Sequence, residues 1–180
     1  MAKPRTKPDK DLALYKLPPQ NIEAEESLFS AILLDNTILI DIMEMLSPED
    51  FYTSSHQKIF ESVTELFSRN EPVDLITLSN MLTEKGIIND IGGENYRGAA
   101  YLSWLTDAVP MAVNAPHYAR IIRDKACLRR LIGKSNEITR RCYEDQGNVD
   151  EVVDFAEGAI FEITEEIGRA SCRERVCHRV

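Results

Sequence analysis

The sequence predicts an all-α fold, with a compact helical N-terminal body followed by a long αα-hairpin. Three observations carry that expectation. Apolar residues recur at helical spacing between recognisable capping residues, and no stretch alternates with period two for long enough to make a strand. From residue 116 onward, two long amphipathic stretches meet at Gly147-Asn148, the pattern of a helical hairpin. With 180 residues, 43% of them hydrophobic, the chain is long and apolar enough for a proper core.

The elements follow in order. The opening stretch to Pro18 mixes lysines with prolines and lacks an apolar run, so it reads as a loose arm and not as a secretory signal. Asn21 is a good N-cap for "IEAEESLFSAILL", where Glu23 suits the first turn and Ile22, Phe29, Ile32 and Leu33 fall on one side. A short helix, "TILIDIMEML", should stop at Ser47-Pro48, because proline disfavours helical geometry in the residue before it. Ser54 is the expected cap of "SHQKIFESVTELF", whose Ile59, Phe60, Val63, Leu66 and Phe67 form an apolar stripe. Asp74 starts "LITLSNMLTEK", and Gly86 can close it in the left-handed region. Another helix is expected around "AAYLSWL".

Pro116 suits the first turn of a helix running to about Tyr143. At 100° per residue, Ile121, Leu128, Leu131, Ile132 and Ile138 gather on one face of it. The second hairpin helix starts near Asp150, carries Val152, Ala156, Ala159, Ile160 and Ile163 along one stripe, and is expected to end by Ile167. The predicted division is a flexible arm over 1–17, a helical body over 18–110, a hairpin over 111–167 and a tail over 168–180.

That tail holds Cys172, Cys177 and His178, which invite a metal-site reading. Zinc sites pair ligands at short spacings and need four of them. Cys172 and Cys177 are separated by four residues, and Cys127 and Cys142 fall on the first hairpin helix, so no metal ligand set is assigned. "IGRASCRERV" resembles a translated sequencing-adapter read, so the tail reads as non-native and the natural sequence as departing from it after about Glu166.

Charge narrows the function. The chain carries a net −9; residues 169–180 contribute +3 through four arginines against Glu174, which leaves −12 on the rest. Such a body is no general nucleic-acid binder, although one basic face can still exist on it. No apolar run is long enough to span a membrane.

Catalytic motifs do not assemble. Gly133-Lys134-Ser135 matches the end of a phosphate-binding loop, but position 128 is Leu128 where the motif needs glycine, and the register is continuous helix. Gly92-Gly93 lacks the rest of a dinucleotide fingerprint. His56 and His117 stand near helix starts with no sequence neighbour to complete a triad, and Glu23, Glu25 and Glu26 read as a solvated face. No catalytic, cofactor-binding or metal residue is therefore assigned.

One feature is less ordinary. Arg120, Arg123, Arg130, Lys134 and Arg141 share one side of the first hairpin helix, beside the apolar stripe that includes Leu128 and Ile132. These seven residues form the candidate partner interface. The side is read as a solvated face, as a surface that docks an acidic partner such as a second copy of this chain, or as a phosphate-contacting surface. The absence of interleaved aromatics favours protein docking over single-strand binding.

Four segments carry a resemblance: "LPPQNIEAEESLFSAILLD", "EDFYTSSHQKIFESVTELF", "EPVDLITL" and "DAVPMAVNAPHYARIIRDKACLRRLI". Together, from about Leu17 to Glu166, they resemble the N-terminal domain of the bacterial replicative DNA helicase, the DnaB family. The resemblance implies a small helical body and a hairpin. It further implies hairpin-mediated dimers assembled into the collar of a ring hexamer, primase as a partner, a helicase loader as a second candidate partner, and only weak or indirect DNA contact. It implies a cytoplasmic protein of the primosome whose ATP-dependent helicase activity, with ATP and Mg, belongs to a RecA-like domain absent from this chain. The chain alone is not expected to be an enzyme. The competing readings are a free-standing adaptor or loader-like protein and a nucleic-acid-binding module using the arginine stripe. "ENYRGA", from Glu94 to Ala99, looks like an insertion relative to the family pattern.

Overall fold

A computed structural model describes residues 17–93, 95–107, 114–144 and 148–177, with side chains described as far as residue 164. Among these residues the architecture is all-helical: α1 (Ile22–Leu34), α2 (Leu39–Met45), α3 (Ser54–Ser68), α4 (Leu75–Glu84), α5 (Ala99–Asp107), α6 (Ala115–Glu144) and α7 (Val149–Cys177). Extended pairing among them is limited to an isolated antiparallel bridge between Gly92 and Arg97.

Local chemistry sets the boundaries. Asn21 accepts a hydrogen bond from the Ala24 N–H at 3.0 Å and starts α1. Asp74 accepts from the amides of Ile76 and Thr77, and the Thr77 hydroxyl accepts from the Asp74 N–H, a capping box that starts α4. Gly86 ends that helix at φ +71°, a backbone conformation that a Cβ makes costly. The cap of α3 is Thr53, not Ser54. Thr53 is the extended residue whose hydroxyl accepts from His56 N–H at 3.1 Å, whereas Ser54 is already helical.

Leu28, Phe29 and Ile32 of α1 meet Ile59, Phe60 and Val63 of α3 in one core, which Leu78, Leu82, Leu102 and Leu105 complete. Phe51, just after the Pro48–Asp50 turn, stacks on Phe29 at 5.1 Å and tilts against Phe60 at 4.8 Å. Each fully buried side chain of this kind contributes roughly 1.5–3 kcal/mol.

The hairpin helix α6 crosses α1 and α2. The residues it buries are Ala115, Ala119, Ile122 and Ala126, spaced four, three and four apart, and the short alanines let the helix backbones approach closely. The larger apolar residues turn elsewhere: Leu128 and Ile132 are 45% and 49% exposed. α7 returns along α6, with Ala159 and Ile163 buried between them.

Helix α7 continues to Cys177, ten residues beyond its expected end at Ile167. A glycine inside a helix costs about 1 kcal/mol relative to alanine, which does not stop a helix when strong formers follow. Arg169, Ala170, Arg173 and Glu174 are such formers, and Gly133 and Gly158 likewise sit inside α6 and α7. The side chains of Cys172 and Cys177, His178 and the arm over residues 1–16 lie outside the described residues.

Candidate functional sites: the hairpin face and a buried carboxylate–histidine–tyrosine cluster

The cationic residues of α6 share a side, as their spacing requires, but they are used differently. Arg130 turns to the body and pairs with Asp50 at 2.7 Å. Lys134 reaches across the hairpin to Glu162 at 3.0 Å. Arg141 lies over the Phe155 ring, 3.6 Å from its centroid. Arg120 is exposed and Arg123 half-buried. Three of the five thus hold the protomer together, while Leu128 and Ile132 remain exposed on α6, and Val153, Ile160 and Phe161 on α7.

Arg129, which the spacing argument passed over, is the main clamp between hairpin and body. Its guanidinium donates to the carbonyls of Pro19 at 2.8 Å and Asp50 at 2.5 Å and sits 5.7 Å from the Tyr52 ring centroid. Burial makes its charged form less favourable than usual, against the attraction of Glu25 and Asp50. Asp50 is the receiving hub: it binds Arg130 through Oδ1 and accepts the Ser47 N–H at Oδ2.

A second site corrects the reading of Glu25 and Glu26 as part of a solvated face, and gives His56, in the first turn of α3, buried partners in place of a surface position. Glu25 and His56 are each only 1% exposed. Glu25 Oε2 lies 2.5 Å from His56 Nδ1, and its Oε1 accepts the Tyr52 N–H at 2.8 Å. On the far side of the ring, His56 Nε2 is 2.6 Å from the Tyr101 hydroxyl, which also reaches Glu26 Oε1 at 3.3 Å. Burial, reinforced by Glu26, pushes the Tyr101 hydroxyl well above the ordinary phenol range. Burial also raises Glu26, against the pull of His56 and Tyr101. Glu23 alone of the three acids is exposed. His117 is exposed as well.

Helical spacing brings these groups together. Glu25 stands three, four and seven residues before Leu28, Phe29 and Ile32, so it shares their buried face. His56 bears the same relation to Ile59, Phe60 and Val63 on α3. Both polar residues occupy apolar stripes, and this was the signal in the sequence that could have revealed them. The cluster runs as a hydrogen-bonded chain from the Tyr52 main chain to a cleft of about 690 Å³ between the starts of α1 and α3, residues Gly92, Gly93, Asn95 and Tyr96, and α5. The loop that resembles an insertion helps wall this cleft. Gly93 N–H donates to the Tyr96 carbonyl at 3.1 Å and Gly98 N–H to that of Ile91 at 2.8 Å, which seats Tyr96 on Trp104.

Gly133, Lys134 and Ser135 lie in unbroken α6, where main-chain amides are spent on the helix and cannot wrap a phosphate. Among the described residues no helix is long and apolar enough to cross a membrane.

Comparison with known proteins places this architecture. The family model described as "DnaB-like helicase N terminal domain" matches residues 17–124. The replicative DNA helicase DnaB of Geobacillus stearothermophilus is 41% identical over 155 residues, 86% of this chain and 33% of that protein. The replicative DNA helicase DnaC of Bacillus subtilis is 38% identical over the same length and shares. The chain therefore spans about a third of the length of the curated relatives it matches. The crystal structure of the N-terminal domain of DnaB helicase from Mycobacterium tuberculosis matches with a TM-score of 0.74 at 37% identity, covering 81% of this chain and 99% of that one. A family model spanning the body and the first part of α6, together with a solved domain matched over nearly its whole length, leads to one assignment: the chain belongs to the DnaB-like helicase N-terminal domain family.

Proposed function

We propose that this chain is the assembly and partner-docking part of a replicative DNA helicase acting in bacterial DNA replication. In this reading hairpins pair between protomers, the pairs build the collar of a hexamer, and the collar recruits primase, with a helicase loader as a further partner. ATP-driven unwinding, with its ATP and Mg, belongs to a separate domain of the full-length protein. One observation carries the reading. The hairpin leaves Leu128, Ile132, Val153, Ile160 and Phe161 exposed along two adjacent helices. Apolar residues grouped on a surface in this way mark an interface. The intramolecular engagement of Arg130, Lys134 and Arg141 weighs against a DNA surface built from the cationic stripe.

Sedimentation tests the proposal. The wild-type chain should self-associate as concentration rises, and Leu128→Asp and Ile132→Asp should each dissociate it by burying an unpaired charge. Helical content should survive, because the core of α1, α3, α4 and α5 does not include either position. A wild-type monomer at high concentration, or an aspartate variant that stays associated, would contradict hairpin pairing. Unfolding of either variant would place the stripe inside the protomer and count equally against it.

A further inference from the structure

We propose that the cleft between α1, α3 and α5 is a docking site for an arginine side chain of a partner polypeptide. This goes beyond hairpin pairing and does not depend on it: among the described residues none lining the cleft belongs to α6 or α7.

The walls supply a surface for a planar cation. Tyr96 stacks on Trp104 at 6.0 Å and 23°, and Trp104 stacks on Tyr101 at 5.8 Å and 19°, so three rings stand in file along one side. Trp104 is stacked with both tyrosines and Tyr101 also with His56, so the face on offer is that of the exposed Tyr96 at the end of the file, and a guanidinium is attracted to such a face within about 6 Å. The same chain uses this contact twice, with Arg129 at Tyr52, itself a wall of the cleft, and with Arg141 at Phe155.

The polar groups of the cleft include acceptors with capacity for further donors. The Tyr101 hydroxyl donates to Glu26 Oε1 at 3.3 Å and lies 2.6 Å from His56 Nε2, and a carboxylate can accept more hydrogen bonds than this one. Gln20 Oε1, also at the cleft, is buried and accepts no hydrogen bond among the described residues. Among the described residues no lysine or arginine lines the space. Burial already makes the charged form of Glu26 unfavourable, a cost that a paired cation would offset. A guanidinium is a donor-only, planar group that can stack on a ring while its fork meets a carboxylate, which a lysine ammonium cannot do. The volume suits one side chain with its flanking backbone. The chain's net charge of −9 favours the approach of a basic segment.

Trp104 is the sole tryptophan and stands in the cleft, so its emission reports occupancy directly. The full chain is titrated with acetyl-Gly-Arg-Gly-amide and with its lysine and citrulline counterparts. The arginine peptide should give a saturable change in emission. Citrulline keeps the shape but loses the charge, and should bind about tenfold more weakly, the loss expected of a charge-assisted hydrogen bond. Lysine should bind more weakly than arginine. Glu26→Gln should remove the same factor for the arginine peptide, and Tyr96→Ala should weaken it by removing part of the ring file. Both positions are partly exposed, so both variants should fold, as circular dichroism checks. The arginine–citrulline comparison on the wild-type chain needs no variant at all. The proposal is overturned by the absence of a saturable change, by equal binding of citrulline or lysine, or by wild-type affinity in folded Glu26→Gln.

Discussion

Replacing Glu25 by alanine isolates what the buried cluster contributes to stability. The substitution removes two contacts at once: the acceptor of the partly buried Tyr52 amide at 2.8 Å and the carboxylate oxygen 2.5 Å from the buried His56 Nδ1. An orphaned buried polar group costs about 1–3 kcal/mol, and removing one partner of a buried ionisable pair costs about 3–5 kcal/mol. Glu25 is only 1% exposed, so both contacts are shielded from solvent in the native chain. Glu25→Ala should therefore cost about 3–5 kcal/mol, a large part of a typical domain's 5–15 kcal/mol. Glu25→Gln keeps a carbonyl for the Tyr52 amide and fills the same space, and should cost about 1–2 kcal/mol. Urea unfolding followed by Trp104 emission measures both, with an unchanged slope showing that the native state stays compact. The double variant with His56→Ala should be less damaged than the sum of the single variants by about 1–3 kcal/mol, since either change breaks the same contact. A Glu25→Ala chain within about 1 kcal/mol of wild type, or strictly additive single variants, would refute the claim that the pair acts as a buried unit.

Two further outcomes follow from the clamp and from the α4 cap. Arg129→Ala removes two charge-assisted bonds to main-chain carbonyls and a ring contact, and should cost about 2–3 kcal/mol, with faster hydrogen exchange in the 49–52 segment as the local signature. Asp74 is held below the usual aspartate range by the amide of Thr77, then its hydroxyl, so its cap is complete above the unfolded-chain value and is lost as pH falls through the lower folded value. Asp74→Ala should cost about 1 kcal/mol at neutral pH and remove that acid-side loss, as unfolding curves at neutral and acid pH would show.

The helix starts were legible because caps act locally. Asn21, Asp74 and Gly86 each do their work within a few residues of their own position, and sequence spacing reports that range directly. The cluster was not legible in the same way: Glu25, His56 and Tyr101 are separated by 31 and 45 residues, and only packing of α1, α3 and α5 brings them into contact. What the sequence does contain is two polar residues standing on apolar stripes, a conflict that burial resolves by pairing them. The face of α6 against the body was missed for another reason. Apolar volume marks Leu128, Leu131 and Ile132, which the sequence leaves free to pack on the body or on another chain, whereas close helix approach selects the small residues Ala115, Ala119 and Ala126. The continuation of α7 past Gly168 shows that a single weak position does not set a boundary when its neighbours favour the helix.

The reach of α6 has a mechanical consequence. Its 30 residues make a rod about 45 Å long. The body grips it through Ala115–Ala126 and bolts it with Arg129 and Arg130; beyond them Lys134 and Arg141 turn to α7. About 20 Å of the rod therefore projects as a cantilever with its fulcrum at the two arginines. A tilt of about 5° at that fulcrum displaces the far end by about 2 Å, comparable to the helix shifts that switch packed interfaces. Whatever grips the outer end of the hairpin gains leverage over the Asp50 turn, and through it over the loop that carries Tyr52 into the buried cluster.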